Sequence, residues 1–149
     1  MTNYSNCYAE ADQFLQQVSV RLEGSPNQEH SSQLTTAVLH SLRDRISYRE
    51  SMFLVANLPV LIKGIYFDGW NRNQHTTTIN SIEDFLEEIR RNAVTYFGNN
   101  FSINQLTMGK ARAVIQVLRN YVCASGFWHV RNQLPAVVSE LFNVEEAES

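Results

Sequence analysis

Apolar residues recur along this chain at spacings of three and four, the period of a helix that buries one face. Tyr8, Ala11, Leu15, Val18 and Leu22 fall on one such stripe, and Leu34, Val38, Leu42 and Ile46 on a second. Later stripes run through Ile82, Phe85, Leu86, Ile89, Ala93 and Tyr96 or Phe97, and through Ala111, Val114, Leu118 and Val122. Each stripe predicts a helix with a core-facing side. Ser47 followed by Glu50 has the spacing of a capping box, in which the hydroxyl and the carboxylate satisfy free amides at a helix start. Pro59 and Pro135 each follow a leucine. Because proline lacks an amide donor and disfavours helix for the residue before it, a break is expected there, with the proline opening the next helix. Two short helices are predicted around each proline, and a single kinked helix is the alternative.

The stripes belong to a longer self-similarity. Ala37 to Tyr66 aligns without a gap on Ala113 to Phe142, with Ala37, Val38, Leu42, Arg43, Leu58 and Pro59 recurring as Ala113, Val114, Leu118, Arg119, Leu134 and Pro135. Upstream, Phe14-Leu15 matches Phe85-Leu86, at an offset of 71 residues instead of 76, so a longer loop around Gly98, Asn99 and Asn100 is expected in the second half. Repeats of this kind constrain architecture before any single residue is interpreted. The predicted fold is all-α: a helical bundle of two tandem pseudo-symmetric repeats, each of three to four helices with a break before a Leu-Pro motif. Unit one spans about 8–67, a linker 68–80, and unit two about 81–142. Gly24 to Gln28 reads as a loop, Glu145 to Ser149 as an acidic tail, and Thr76 to Ile79 as a stretch that can be briefly extended.

Length favours one domain over residues 1–149, because a chain of this size buries roughly 68–70 % of its unfolded surface, whereas either half alone leaves apolar helix faces uncovered. Composition then removes several function classes. A net charge of −3 argues against a phosphate-backbone binder. Arg43 with Arg45, or Arg90 with Arg91, can still form a local anion patch, although Arg43 and Arg119 also suit the negative end of a helix dipole. Glu83, Asp84, Glu87 and Glu88 followed by Arg90 and Arg91 obey the same rule. The first residues show no secretory signal, and no apolar run reaches the roughly 20 residues that span a bilayer, so a cytoplasmic protein is expected. Cys7 and Cys123 are expected to be reduced, with Cys123 taking the place of Ser47 at a helix start.

Candidate chemistry is sparse. His30, His40, His75 and His129 lack metal-ligand spacing, and His129 aligns with Phe53 at a half-buried helix position. No phosphate loop, nucleophile elbow or di-iron Glu-x-x-His pattern occurs. No catalytic, cofactor or metal residue is therefore assigned, and no enzyme activity is expected. The most unusual stretch is Lys63 to Trp70, whose Asp68-Gly69-Trp70 ending has no counterpart in the second unit. Tyr66, Phe67, Asp68 and Trp70 form a candidate interaction surface, since aromatic side chains anchor interfaces. The structural alternative folds Trp70 back over the seam between units, with Gly69 terminating the helix.

The string Ala37 to Trp70 resembles an uncharacterised prokaryotic family, domain of unknown function 2267. The resemblance rests on Leu39-His40-Ser41-Leu42-Arg43-Asp44-Arg45-Ile46, on Asn57-Leu58-Pro59 and on Gly64 through Tyr66, Phe67, Asp68, Gly69 and Trp70. Asn57 stands where glutamine is usual. The resemblance implies a prokaryotic protein and supplies no reaction or ligand.

The function expected from these observations is a non-enzymatic helical module that binds another protein, as a monomer or small homo-oligomer. A metabolite sensor with a pocket between the units is the alternative, and nucleic-acid binding a weaker one.

Overall fold

A computed structural model describes residues 4–22, 28–70 and 78–143. It contains helices α1 (Tyr4–Arg21), α2 (Gln28–Arg43), α3 (Tyr48–Val55), α4 (Val60–Phe67), α5 (Ile82–Phe97), α6 (Met108–Arg119), α7 (Ala124–Arg131) and α8 (Ala136–Ser139). A 3₁₀ turn, Glu140–Phe142, continues α8. No strand occurs among the described residues, so the fold is an all-α helical bundle. Of the loop expected at Gly24 to Gln28, residues 24–27 lie outside the described residues, as do the acidic tail and most of the linker, while Gln28 opens α2; Thr78 to Asn80 have no regular structure.

Local chemistry explains the helix boundaries. Ser47, Ser81, Thr107 and Cys123 are N-caps, each side chain accepting the backbone N–H three residues on. The capping box at Ser47 is only half formed. Ser47 Oγ accepts from Glu50 N–H, but the Ser47 N–H donates to Gln133 Oε1 at 2.8 Å, because the Glu50 carboxylate is drawn to His129 instead. Pro59 and Pro135 occupy the N-cap positions of α4 and α8, so each proline separates two short helices and no kinked helix forms. Gly98, at φ 70, ends α5 in the left-handed conformation that glycine adopts without strain. The loop after it is held by buried Phe101 and Leu106.

Packing makes α2 the axis of the bundle. It contacts α1, α4, α5 and α6, while α6 also meets α1, α5 and the 3₁₀ turn, and α3 packs against α7. Surrounded in this way, α2 buries every residue from Leu34 to Arg43, not the single stripe that its periodicity predicts. Two of its buried polar side chains are hydrogen-bonded inside the bundle, Ser31 Oγ lying 2.6 Å from Ser19 Oγ and Ser41 Oγ donating to the Ala37 carbonyl at 2.8 Å, whereas the buried Thr35 hydroxyl has no hydrogen-bond partner among the described residues. Buried apolar residues from Ala11 to Phe142 form one continuous cluster. Tyr8 departs from the expected stripe and stands 65 % exposed, since α1 extends there beyond its neighbours' cover.

Candidate functional site

Two features of the bundle carry unusual chemistry. The first is a buried polar joint where the C-terminal end of α2 meets α4 and α5. Arg43, the last residue of α2, is 6 % exposed. Its Nη1 donates to the carbonyls of Tyr66 at 2.8 Å and Asp68 at 2.6 Å, tying α2 to the end of α4. One turn earlier His40 Nε2 lies 2.8 Å from the Ile65 carbonyl; the acceptor requires that nitrogen to carry the proton. Burial, with the Arg43 charge adding to it, holds His40 down to about 4, so its ring is neutral.

On the α5 side of the joint Glu88 is 6 % exposed and lies between two guanidinium groups, Arg91 at 2.6 Å and Arg45 at 3.6 Å. Asp44 sits 3.9 Å from Arg43, and burial pushes its carboxyl up to about 6 against the pull of that cation. Asn92 donates to Ser41 Oγ at 2.8 Å and closes the α2–α5 seam. The arginines singled out as an anion patch are thus committed within the fold: Arg43 and Arg45 inward, Arg91 to Glu88, and Arg90 to Glu87 at 3.5 Å.

This joint absorbs the four residues expected to form an interaction surface. Tyr66 is fully buried, its hydroxyl 2.6 Å from Ser51 Oγ, and burial pushes its phenol above the usual value. The expected exposure of Tyr66 is therefore corrected: it falls on the side of α4 that faces α1 and α2, where a large apolar ring is most stable. Phe67 is half-buried against the core. Asp68 is exposed, but its carboxylate accepts a hydrogen bond from the Tyr96 hydroxyl on α5. Gly69 takes φ 71 just past the helix end, which turns the chain so that Trp70 folds back. The Trp70 ring stacks on Tyr48 at 5.5 Å and lies near Arg43, whose guanidinium carbon is 5.8 Å from the ring centroid. It covers the α3–α4 corner of its own half, and the seam with the second half falls to Asp68 and Tyr96.

The second feature is the α3–α7 pair. Gly126 in α7 approaches α3 so closely that a Cβ built on it would stand 2.8 Å from the Phe53 carbonyl oxygen. Above that contact Phe53 stacks on His129 with centroids 4.0 Å apart and planes within 11°. His129 Nδ1 lies 3.4 Å from Glu50 and its side chain is 43 % exposed, more open than the half-buried position predicted for it. Met52 and Trp128, one residue before each stacked partner, are 47 % and 63 % exposed. Arg131 lies over the Trp128 ring at 4.9 Å.

Elsewhere the surface holds shallow hollows. One of about 540 Å³ runs along α1 beside Gln13, Gln17 and Val20, and one of about 260 Å³ lies between His30, Gln33, Asn99 and Gln105. Among the described residues no His, Cys, Asp and Glu cluster could hold a metal, and no helix is long and apolar enough to cross a membrane. Cys7 and Cys123 are free thiols. Sequence reasoning missed His40, Asp44, Glu88 and Tyr96 as a unit. The signal available was the His40, Arg43, Asp44, Arg45 grouping, whose partners come from 20 to 50 residues away and share no local pattern with it.

The fold and its joint define an all-helical bundle protein in which the most distinctive sequence motifs fasten helix ends together. The chain belongs to the family described as uncharacterized conserved protein (DUF2267), whose model matches residues 11–141. No curated protein matches it.

Proposed function

We propose that this chain is a non-enzymatic protein-binding module, a single domain of two related units that presents its partner surface on α3 and α7. The observation that carries the proposal is the exposed apolar set Met52, Phe53 and Trp128 on two packed helices, flanking a stacked pair. Large aromatic side chains left open on a rigid support are the residue types that dominate interface energetics. Supporting the two-unit reading, residues that align in sequence play matching parts. Arg43 and Arg119 both reach carbonyls at the end of a later helix, Ser47 and Cys123 both cap, and the aligned Phe53 and His129 stack on each other. A residue stacked on its own counterpart is what a pseudo-twofold axis through the α3–α7 contact requires. The interaction surface expected at Tyr66 to Trp70 moves, in this proposal, to the neighbouring face.

The test places a photo-crosslinking residue at Met52 or, as control, at exposed Glu83 on α5 in the intact chain. A heteromeric adduct specific to position 52 is expected, weakened by Trp128→Ala. Adducts at neither position, or the same adducts at both, overturn the proposal.

A further inference from the structure

We infer that the α3–α7 face docks an acidic amphipathic helix of a partner protein, an inference that rests on the interaction reading above. Two observations select this occupant. The first is charge. The chain as a whole carries 15 acids against 12 bases, yet the rim of this face is basic. Arg49 is exposed and lies three and four residues before Met52 and Phe53, the spacing that puts side chains on one side of a helix. Arg131 sits over Trp128 on the opposite helix. The one acid of α3, Glu50, is half-buried with its carboxylate 3.4 Å from the His129 ring, and α7 has none. A ligand that lays apolar side chains over Met52, Phe53 and Trp128 thus meets one guanidinium from each helix, and carboxylates are its natural complement.

The second observation is shape. Each of the two helices has eight residues, about 12 Å of rise, and their close packing at Gly126 makes one rigid two-helix platform. Such a platform receives a helix whose anchors repeat every three to four residues. A nucleic acid fits less well: two rim arginines neutralise few phosphates, and Met52 offers no stacking surface.

The experiment is selection of 16-residue peptides from a randomised display library on the full chain. Isotherms of the winners follow at low and high salt, against wild type, Arg49→Glu/Arg131→Glu and Met52→Ala/Trp128→Ala. All four positions are exposed, so the fold should persist, and circular dichroism checks this. Winners rich in Asp and Glu around an apolar stripe are expected, with affinity falling about tenfold in each double variant and falling with salt. Winners that lose affinity only with the apolar variant would overturn the acidic partner and leave the interaction reading standing. Winners indifferent to both variants, or no winners, would overturn both. Tighter binding of a single-stranded or duplex oligonucleotide than of any peptide would overturn the partner class.

Discussion

Replacing Gly126 with alanine tests the close approach of α7 to α3. In an ordinary helix this change is favourable, by up to about 1 kcal/mol, because glycine loses more backbone freedom on folding. Here the added methyl would meet the Phe53 carbonyl oxygen at 2.8 Å, with Val122 at 3.4 Å and Cys123 at 3.5 Å around it. A backbone oxygen inside α3 cannot swing aside, so α3 and α7 must separate. Overpacking costs about 1–3 kcal/mol, and against an immovable backbone oxygen the upper part of that range, about 2–3 kcal/mol, applies; after the propensity gain this leaves a net loss of about 1–2 kcal/mol. For a chain of this length that loss lowers Tm by about 3–6 °C. The control is Gly64→Ala, at an exposed position of α4 where nothing lies within 4 Å of the new Cβ and only the propensity gain remains. Thermal unfolding should therefore shift the two variants in opposite directions. If Gly126→Ala matched or exceeded wild type while Gly64→Ala behaved as expected, the close α3–α7 approach would be wrong.

Further expectations concern the joint and the caps. Arg43→Met leaves two carbonyls without their donor and Asp44 without its cation, and should cost about 2–4 kcal/mol in urea unfolding; Arg119→Met removes one bond, to Phe142, at a half-exposed site and should cost about 1 kcal/mol. Asp44 and His40 should show opposite pH behaviour. Asp44 is raised to about 6, so it adds stability below about pH 4 that is lost as pH rises through 6; His40 is lowered to about 4, so its contribution is present above pH 6.5 and lost as pH falls towards 4. The two offset each other in wild type. Unfolding free energies from urea titrations between pH 4 and 7 should therefore fall on acidification in Asp44→Asn and rise in His40→Gln, by an amount on the order of 2 kcal/mol. At the α7 cap, hydrogen bonds from Ser125 and the Gly126 amide lower the Cys123 thiol, and iodoacetamide with mass spectrometry should label it before half-buried Cys7. Cys123→Ser, which restores the better capping atom found at Ser47, should raise Tm.

Much of this protein follows from local rules acting on the chain alone. Helix periods, the hydroxyl cap at Ser47 and the breaks before Pro59 and Pro135 each depend on a few neighbouring residues, so the order and type of elements could be read directly, while the caps at Ser81 and Thr107 and the glycine stop at Gly98 emerged with the structure. Family membership was legible for the same reason, since it rests on short strings. Burial within those elements was not. Tyr66 and Glu88 look like surface residues in sequence, an aromatic beside an exposed turn and an acid in an acidic run. Only packing against Ser51 in one case and Arg45 with Arg91 in the other makes them interior. Nor did any local spacing show that Met52 and Trp128 stand exposed. A residue's environment depends on partners tens of positions away, and no local spacing encodes them. The sequence determined which helices form and where they stop, and the tertiary structure decided which of their side chains fasten the bundle and which remain exposed.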